Sequence, residues 1–187
     1  MVHVKGAAVT SRVRFVRERF GESALRTLKQ ALPEAHRTRI DGRILPSEWV
    51  PYDLFLDLVV QADGLFGRGD LALCRDMARF SAGVNLKTLY RIFYRIGSPT
   101  FILTRAARLW QMHYDSGRLD VATDAPGKTR LRIEEFARPH RAHCLSVLGW
   151  AERSAELSGG EVHYAEETRC RTWGDPACEL NLHWTGD

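Results

Sequence analysis

The residues whose types and spacing could do chemistry gather near the end of the chain. Cys170 and Cys178 bracket a loop containing Gly174-Asp175-Pro176, and Glu166 and Glu167 stand just ahead of the first cysteine. A Gly-Asp-Pro turn closes such a loop and brings its two thiols together. A third thiol, Cys144, shares a helical stripe with Leu148, Ala151 and Ala155, on a helix that should pack against the same region. Thiolates favour zinc, which takes four ligands in a tetrahedron, and a glutamate is the nearest fourth. Strand parity puts Glu166 on the side of Cys170, so a Glu167 ligand requires the strand to end or bulge there. Cysteines are also common in cores as small apolar groups, and spacing leaves both readings open. Cys74 reads as core.

The elements that must position these thiols follow from periodicity. Val162, Tyr164, Glu166, Thr168 and Cys170 share one strand parity, and Cys178, Leu180, Leu182 and Trp184 share another, so the cysteines lie on the apolar face of a terminal hairpin. The helix over 140–157 precedes it, and ahead of that Leu119, Val121, Leu131 and Ile133 alternate with polar residues around the turn Asp124-Ala125-Pro126-Gly127. Upstream the period is helical. Val9, Val13, Val16 and Phe20 form one stripe ending at Gly21, with Arg12, Arg17 and Arg19 placed largely on the opposite side, and a short helix capped by Ser23 runs to Pro33. Residues 34–51 lose periodicity and read as a loop. Leu54 to Phe66, then Leu73 to Ile96, then a helix started by Pro99 and carrying Ile102, Leu109, Trp110 and His113, complete the helical part. The expected fold is α+β, a small antiparallel sheet of about four strands packed against a set of helices. It is read as one domain over 1–187, with 1–50 a helical extension and loop and 51–187 the helices plus sheet.

Aromatic residues on the central helices, Tyr90, Phe93, Trp110, His113 and Tyr114, are the expected walls of an apolar ligand pocket. Composition excludes other classes. No apolar run reaches the length of a membrane span, and the N-terminus lacks the layout of a secretion signal, which makes the expected location cytoplasmic. The four cysteines are then not a disulfide framework. A net charge of +4 is mild, and the early arginines read as a solvated face, so no nucleic-acid partner is expected. The histidines His36, His113, His140, His143, His163 and His183 fall in no nucleophile, Walker or zinc-hydrolase motif, and no Gly-rich dinucleotide fingerprint appears. The chain is read as a non-enzyme.

The pattern Cys144, Glu167-x-x-Cys170, Gly174-Asp175-Pro176, Cys178 resembles the 4-vinyl reductase domain, a small-molecule-binding module of bacterial sensors of phenols and related aromatics. That domain is similar to transport-particle (Bet3-like) subunits that tether vesicles and can enclose an acyl chain. The chain also resembles an uncharacterised bacterial family through Ser11 to Val16, Leu148-Gly149-Trp150 and Glu166 to Cys170. The resemblance is specific over 137–184. It implies a structural zinc on Cys144, Glu167, Cys170 and Cys178, and a hydrophobic small molecule or lipid as ligand whose occupancy alters a homodimer or a regulatory partner surface. The alternative it implies is a scaffold subunit of a tethering-like assembly.

Overall fold

The computed structural model describes the backbone of residues 1–89 and 98–186 and, within it, the side chains of all but 85–89 and 106. A short strand β1 (His3–Lys5) leads into α1 (Gly6–Ala31), whose backbone leaves helical geometry at Gly21, where φ is 89°. The break falls where the sequence places it, because glycine alone adopts this conformation without strain. Residues 34–51 are more ordered than expected. They form a helix α2 (Glu34–Asp41) and a strand β2 (Trp49–Pro51) that pairs antiparallel with β1. The helix lacks a readable stripe because Ile40 is its one buried residue.

Helices α3 (Tyr52–Phe66) and α4 (Ala72–Leu89) follow, joined by a turn in which Asp63 accepts hydrogen bonds from the backbone N–H groups of Leu71 and Leu73 while Asp70 accepts from Ala72. Helix α5 (Pro99–His113) starts with Pro99 in its first turn and Ser98 Oγ accepting from Phe101 N–H. Strands β3 (Arg118–Ala125) and β4 (Lys128–Glu134), helix α6 (Arg141–Leu157), and strands β5 (Glu161–Arg169) and β6 (Cys178–Thr185) complete the chain. The sheet has the order β3-β4-β6-β5 with every pairing antiparallel, so the α+β expectation holds.

Helix α6 is central. It packs on β5 and β6 with one side and on α4 with the other, while α1 lies across α3 and α4 and α5 lies on β3. Close approach of α4 and α6 depends on Gly149: a Cβ there would stand 2.3 Å from the Arg75 carbonyl oxygen. Arg75 and Arg79 bridge to Glu152 at 2.8 and 2.6 Å along the same contact, and Arg79 reaches on to Glu156. Among the described residues no helix is long and apolar enough to cross a membrane.

Candidate functional site

Two sites flank α6. The first is the thiol cluster. Cys144, on the buried side of α6, Cys170, just past β5, and Cys178, the first residue of β6, bring their sulfurs within 4.8 Å of one another. The turn between the last two works as the sequence suggests: Asp175 accepts from Cys170 N–H at 2.9 Å, and Gly174 takes a left-handed conformation with φ 95°. The Cys170 and Cys178 sulfurs stand 4.0 Å apart.

Hydrogen bonding divides the protons unequally. Donation from Cys144 brings Cys170 down to about 6, with Thr172 adding a second contact at 3.0 Å. Donation from Cys144 likewise brings Cys178 down to about 6, helped by Arg171 N–H. Cys144 is pushed far up by those same bonds and by burial, so it keeps its proton. Of the three thiols Cys144 therefore holds its proton most tightly, and Cys170 and Cys178 give theirs up more readily than a free cysteine.

Glu167 completes the neighbourhood. The β5–β6 register shifts between Glu167 and Arg169, the bulge that parity demands if Glu167 rather than Glu166 is to turn inward, and Glu167 is buried. Arg141 donates to its Oε2 at 3.0 Å while Oε1 is buried without a hydrogen bond. Desolvation, then the neighbouring Cys170, raises its pKa to about 7.

The second site is a partly open cavity of about 110 Å³ lined from β1, α1, α4, α5, β3 and α6. Its walls include Trp110, His113 and Tyr114, three of the five residues expected from sequence. Tyr90 and Phe93 lie outside the described residues. Tyr114 stacks on Trp110 at 4.6 Å between ring centroids, and Trp110 Nε1 donates to the Ser116 carbonyl. Burial drives the Tyr114 hydroxyl up to about 12, against the pull of Arg12. His113 is lowered, first by desolvation and then by Lys5, so its ring is neutral at pH 7.

Sequence reasoning placed Arg12 on the solvated face of α1, and here the structure differs. Arg12 is 7% exposed and lines the cavity. Its spacing, three after Val9 and four before Val16, puts it on the buried stripe and was the signal available for finding it. Ser81, Ser146, Val147 and Trp150 are further wall residues that no sequence pattern picked out.

His143 sits behind the cavity wall in an aromatic box, stacked on Phe136 at 4.4 Å with Tyr114, Tyr52 and Trp110 at 4.8 to 5.7 Å. Desolvation lowers it to about 3, so it is a neutral ring, and its Nε2 has no partner.

No family model matches the chain, and no curated protein does. Solved structures do. An H-NOX protein from S. oneidensis in the Fe(II)NO ligation state superposes with a TM-score of 0.76 at 12% identity, over 97% of this chain and 99% of that one. An Fe(II) unliganded H-NOX protein from K. algicida gives 0.69 at 12% identity, over 98% and 97%. An oxygen-binding H-NOX domain related to soluble guanylate cyclases gives 0.66 at 14% identity, over 97% and 95%. At these identities the likeness shows the fold, which is that of the H-NOX domain along nearly the whole chain. It corrects the 4-vinyl reductase and Bet3-like assignment, which rested on a motif confined to 137–184.

The zinc expected as cofactor is corrected with it. The structural neighbours are named for Fe(II) states, one of them for heme redox potential and porphyrin distortion, and nothing in the comparison points to zinc. The described residues do not fit a heme either. An engineered cavity of about 150 Å³ admits benzene, so one of about 110 Å³ leaves no room for a macrocycle. An axial ligand needs an imidazole, thiolate, thioether or phenolate with open space before it. His143 has a free nitrogen but rings enclose it, His113 and Tyr114 reach the cavity but have only its roughly 110 Å³ before them, and the thiol cluster lies on the sheet side of α6.

Proposed function

We propose that the chain is a small-molecule-binding sensor module and not a catalyst. The observation that carries this reading is the partly open, aromatic-walled cavity at the meeting of α1, α4, α5 and α6 in a fold whose solved examples bind NO or oxygen. Pockets that bind by burial are mostly apolar with a few placed polar groups, and Val4, Leu109, Leu119 and Val147 beside Arg12, Ser81 and Tyr114 have that make-up. Its volume is below the roughly 150 Å³ of a cavity that admits benzene, so a ligand of that scale would leave part of itself at the open side, and a lipid loses its support. The homodimer or regulatory partner belongs to the same proposal. Its support is that Phe101 and Met112 are exposed on α5, the helix that supplies Leu109, Trp110 and His113 to the cavity.

A second donor set is proposed on the other side of α6: Cys144, Cys170, Cys178 and Glu167 hold a soft metal ion that clamps the terminal hairpin to the helix. The convergence of three sulfurs, two of them with lowered pKa, beside the unpartnered Glu167 Oε1 supports it.

The test of the pocket is a tryptophan-fluorescence and native mass-spectrometry screen of small neutral aromatics against the wild type and an Ala8→Leu variant, in which the added side chain fills the cavity. Saturable quenching by the wild type and loss of it in the filled variant is the expected result. Equal responses from both proteins would remove the pocket from consideration.

A further inference from the structure

Arg12 is a buried cation with no counter-ion. Its Nη1 donates to Ser81 Oγ at 2.6 Å and to Ser11 Oγ at 3.3 Å, both neutral, and its Nε is buried without any partner. Among the described residues no carboxylate pairs with it, and the stretch 85–97 contains neither Asp nor Glu. The guanidinium stands over the Phe55 ring at 5.5 Å, a contact that lends weak support to a desolvated cation. Burial lowers its pKa to about 10, still far too high for it to discharge at neutral pH. An ion taken out of water without a partner costs several kcal/mol, and a chain would lose nothing in packing by placing leucine there. The charge opens onto the cavity that the preceding reading assigns to a ligand.

We infer that the cavity takes a small apolar monocarboxylate, whose carboxylate ion-pairs with Arg12 and whose hydrocarbon body lies among Trp110, Tyr114, Val147 and Trp150. The inference rests on the small-molecule reading and names the ligand class for it. Among the described residues Arg12 is the one cation of the wall, and with the mainly apolar surroundings it selects a monoanion with a hydrophobic body over phosphate or sulfate, whose remaining oxygens would find few donors there. A planar fork of N–H donors matches a carboxylate in two bonds. Ser81 and Ser11 are acceptors toward Arg12: Ser11 Oγ donates to the Ala7 carbonyl and Ser81 Oγ to the Met77 carbonyl, so both hold the guanidinium in position.

The experiment compares benzoate with its neutral counterpart benzamide, followed by calorimetry and by fluorescence of the wall tryptophans, on the wild type, Arg12→Gln and Arg12→Lys. The expected result is benzoate binding at least tenfold tighter than benzamide in the wild type. Arg12→Gln erases that preference with benzamide affinity changed less than threefold, and Arg12→Lys retains part of it. The wild-type pair needs no variant to fold. Benzamide binding as tightly as benzoate overturns the carboxylate inference and leaves the pocket standing. Failure of both probes overturns the inference as well, and the neutral-aromatic screen with the filled variant then decides separately whether the pocket reading falls too.

Discussion

Arg12 Nη1 and Ser81 Oγ meet at 2.6 Å although the two residues lie 69 positions apart, tying the first helix to the fourth at the wall of the cavity. The serine hydroxyl accepts from the arginine, and its one proton is shared between the Met77 carbonyl and Ser11 Oγ, each at 2.9 Å. Ser81→Ala removes the stronger of the two acceptors from a buried charge. It should lower stability by about 1–3 kcal/mol, the cost of stranding a charged donor, read as a shift in urea midpoint at constant slope. A change within experimental error would mean that Arg12 is solvated through the cavity.

Gly149 is a second point at which one atom decides the packing. A methyl group there meets the Arg75 carbonyl oxygen and side chain at once, and backbone cannot step aside as a flexible side chain can. Gly149→Ala should cost about 1–3 kcal/mol by overpacking, despite the better helix propensity of alanine. Unchanged or increased stability on thermal melting would show that α4 and α6 can separate freely.

Helix and strand periodicity made most of the fold legible, since α3 through Ala62, α6 and β6 bury the residues their stripes nominate. The parity conflict at Glu167 even located the bulge before it was seen. What stayed hidden had physical reasons. Helix α2 has one buried residue and therefore no stripe. Arg12 obeys the apolar period but carries a charge that ordinarily marks a solvated face, and its partner Ser81 is distant in sequence. The overall likeness lies in the path of the backbone, at identities of 10–16%. The Cys motif covers one hairpin and one helix, so it brought three thiols together and misassigned the domain as a whole.

His143 gives the chain an acid-sensitive joint. Its ring is neutral in the folded state down to about pH 3 because desolvation, with His140 and Arg12 nearby, opposes charging, whereas an unfolded histidine protonates near pH 6.5. The unfolded state thus binds more protons in the window between, so stability is fully present above about pH 6.5 and is lost as pH falls toward 3. Replacing the ring by His143→Phe, which suits a box of Tyr52, Tyr114 and Phe136, should flatten the urea-midpoint profile between pH 6 and pH 4. The difference in slope is about 1.4 kcal/mol per pH unit. Parallel profiles for the two proteins would refute the neutral buried imidazole.

The thiol cluster separates from ordinary core cysteine by its response to a spectroscopic metal. Co(II) added to reduced protein should give thiolate charge-transfer absorption that saturates near one equivalent. Cys170→Ser and Cys178→Ser should each lose most of it, and Glu167→Gln should shift it. Cys74→Ala should leave it intact, because that thiol is buried elsewhere with its proton directed at the Val59 carbonyl. Each serine variant should also be less stable by about 1–3 kcal/mol, the cost of a hydroxyl lacking full hydrogen bonding in a buried site. No absorption in the wild type would reduce the cluster to packing.

The last prediction sets stability against binding at one position. An uncompensated buried cation is costly, and replacing buried charge by an apolar side chain of similar size is often neutral or stabilising. Arg12→Met fills nearly the same volume, keeps the contact with Phe55 and releases Ser11 and Ser81 to bond each other, which they already do at 2.9 Å. Ligand-free Arg12→Met should therefore melt at or above the wild-type temperature, a gain of about 1 kcal/mol. With benzoate at saturating concentration the order should reverse, because the wild type gains binding free energy that the variant cannot. A residue kept for structure would give the opposite pattern, a variant less stable in both conditions, and that result would return Arg12 to the role of a core strut.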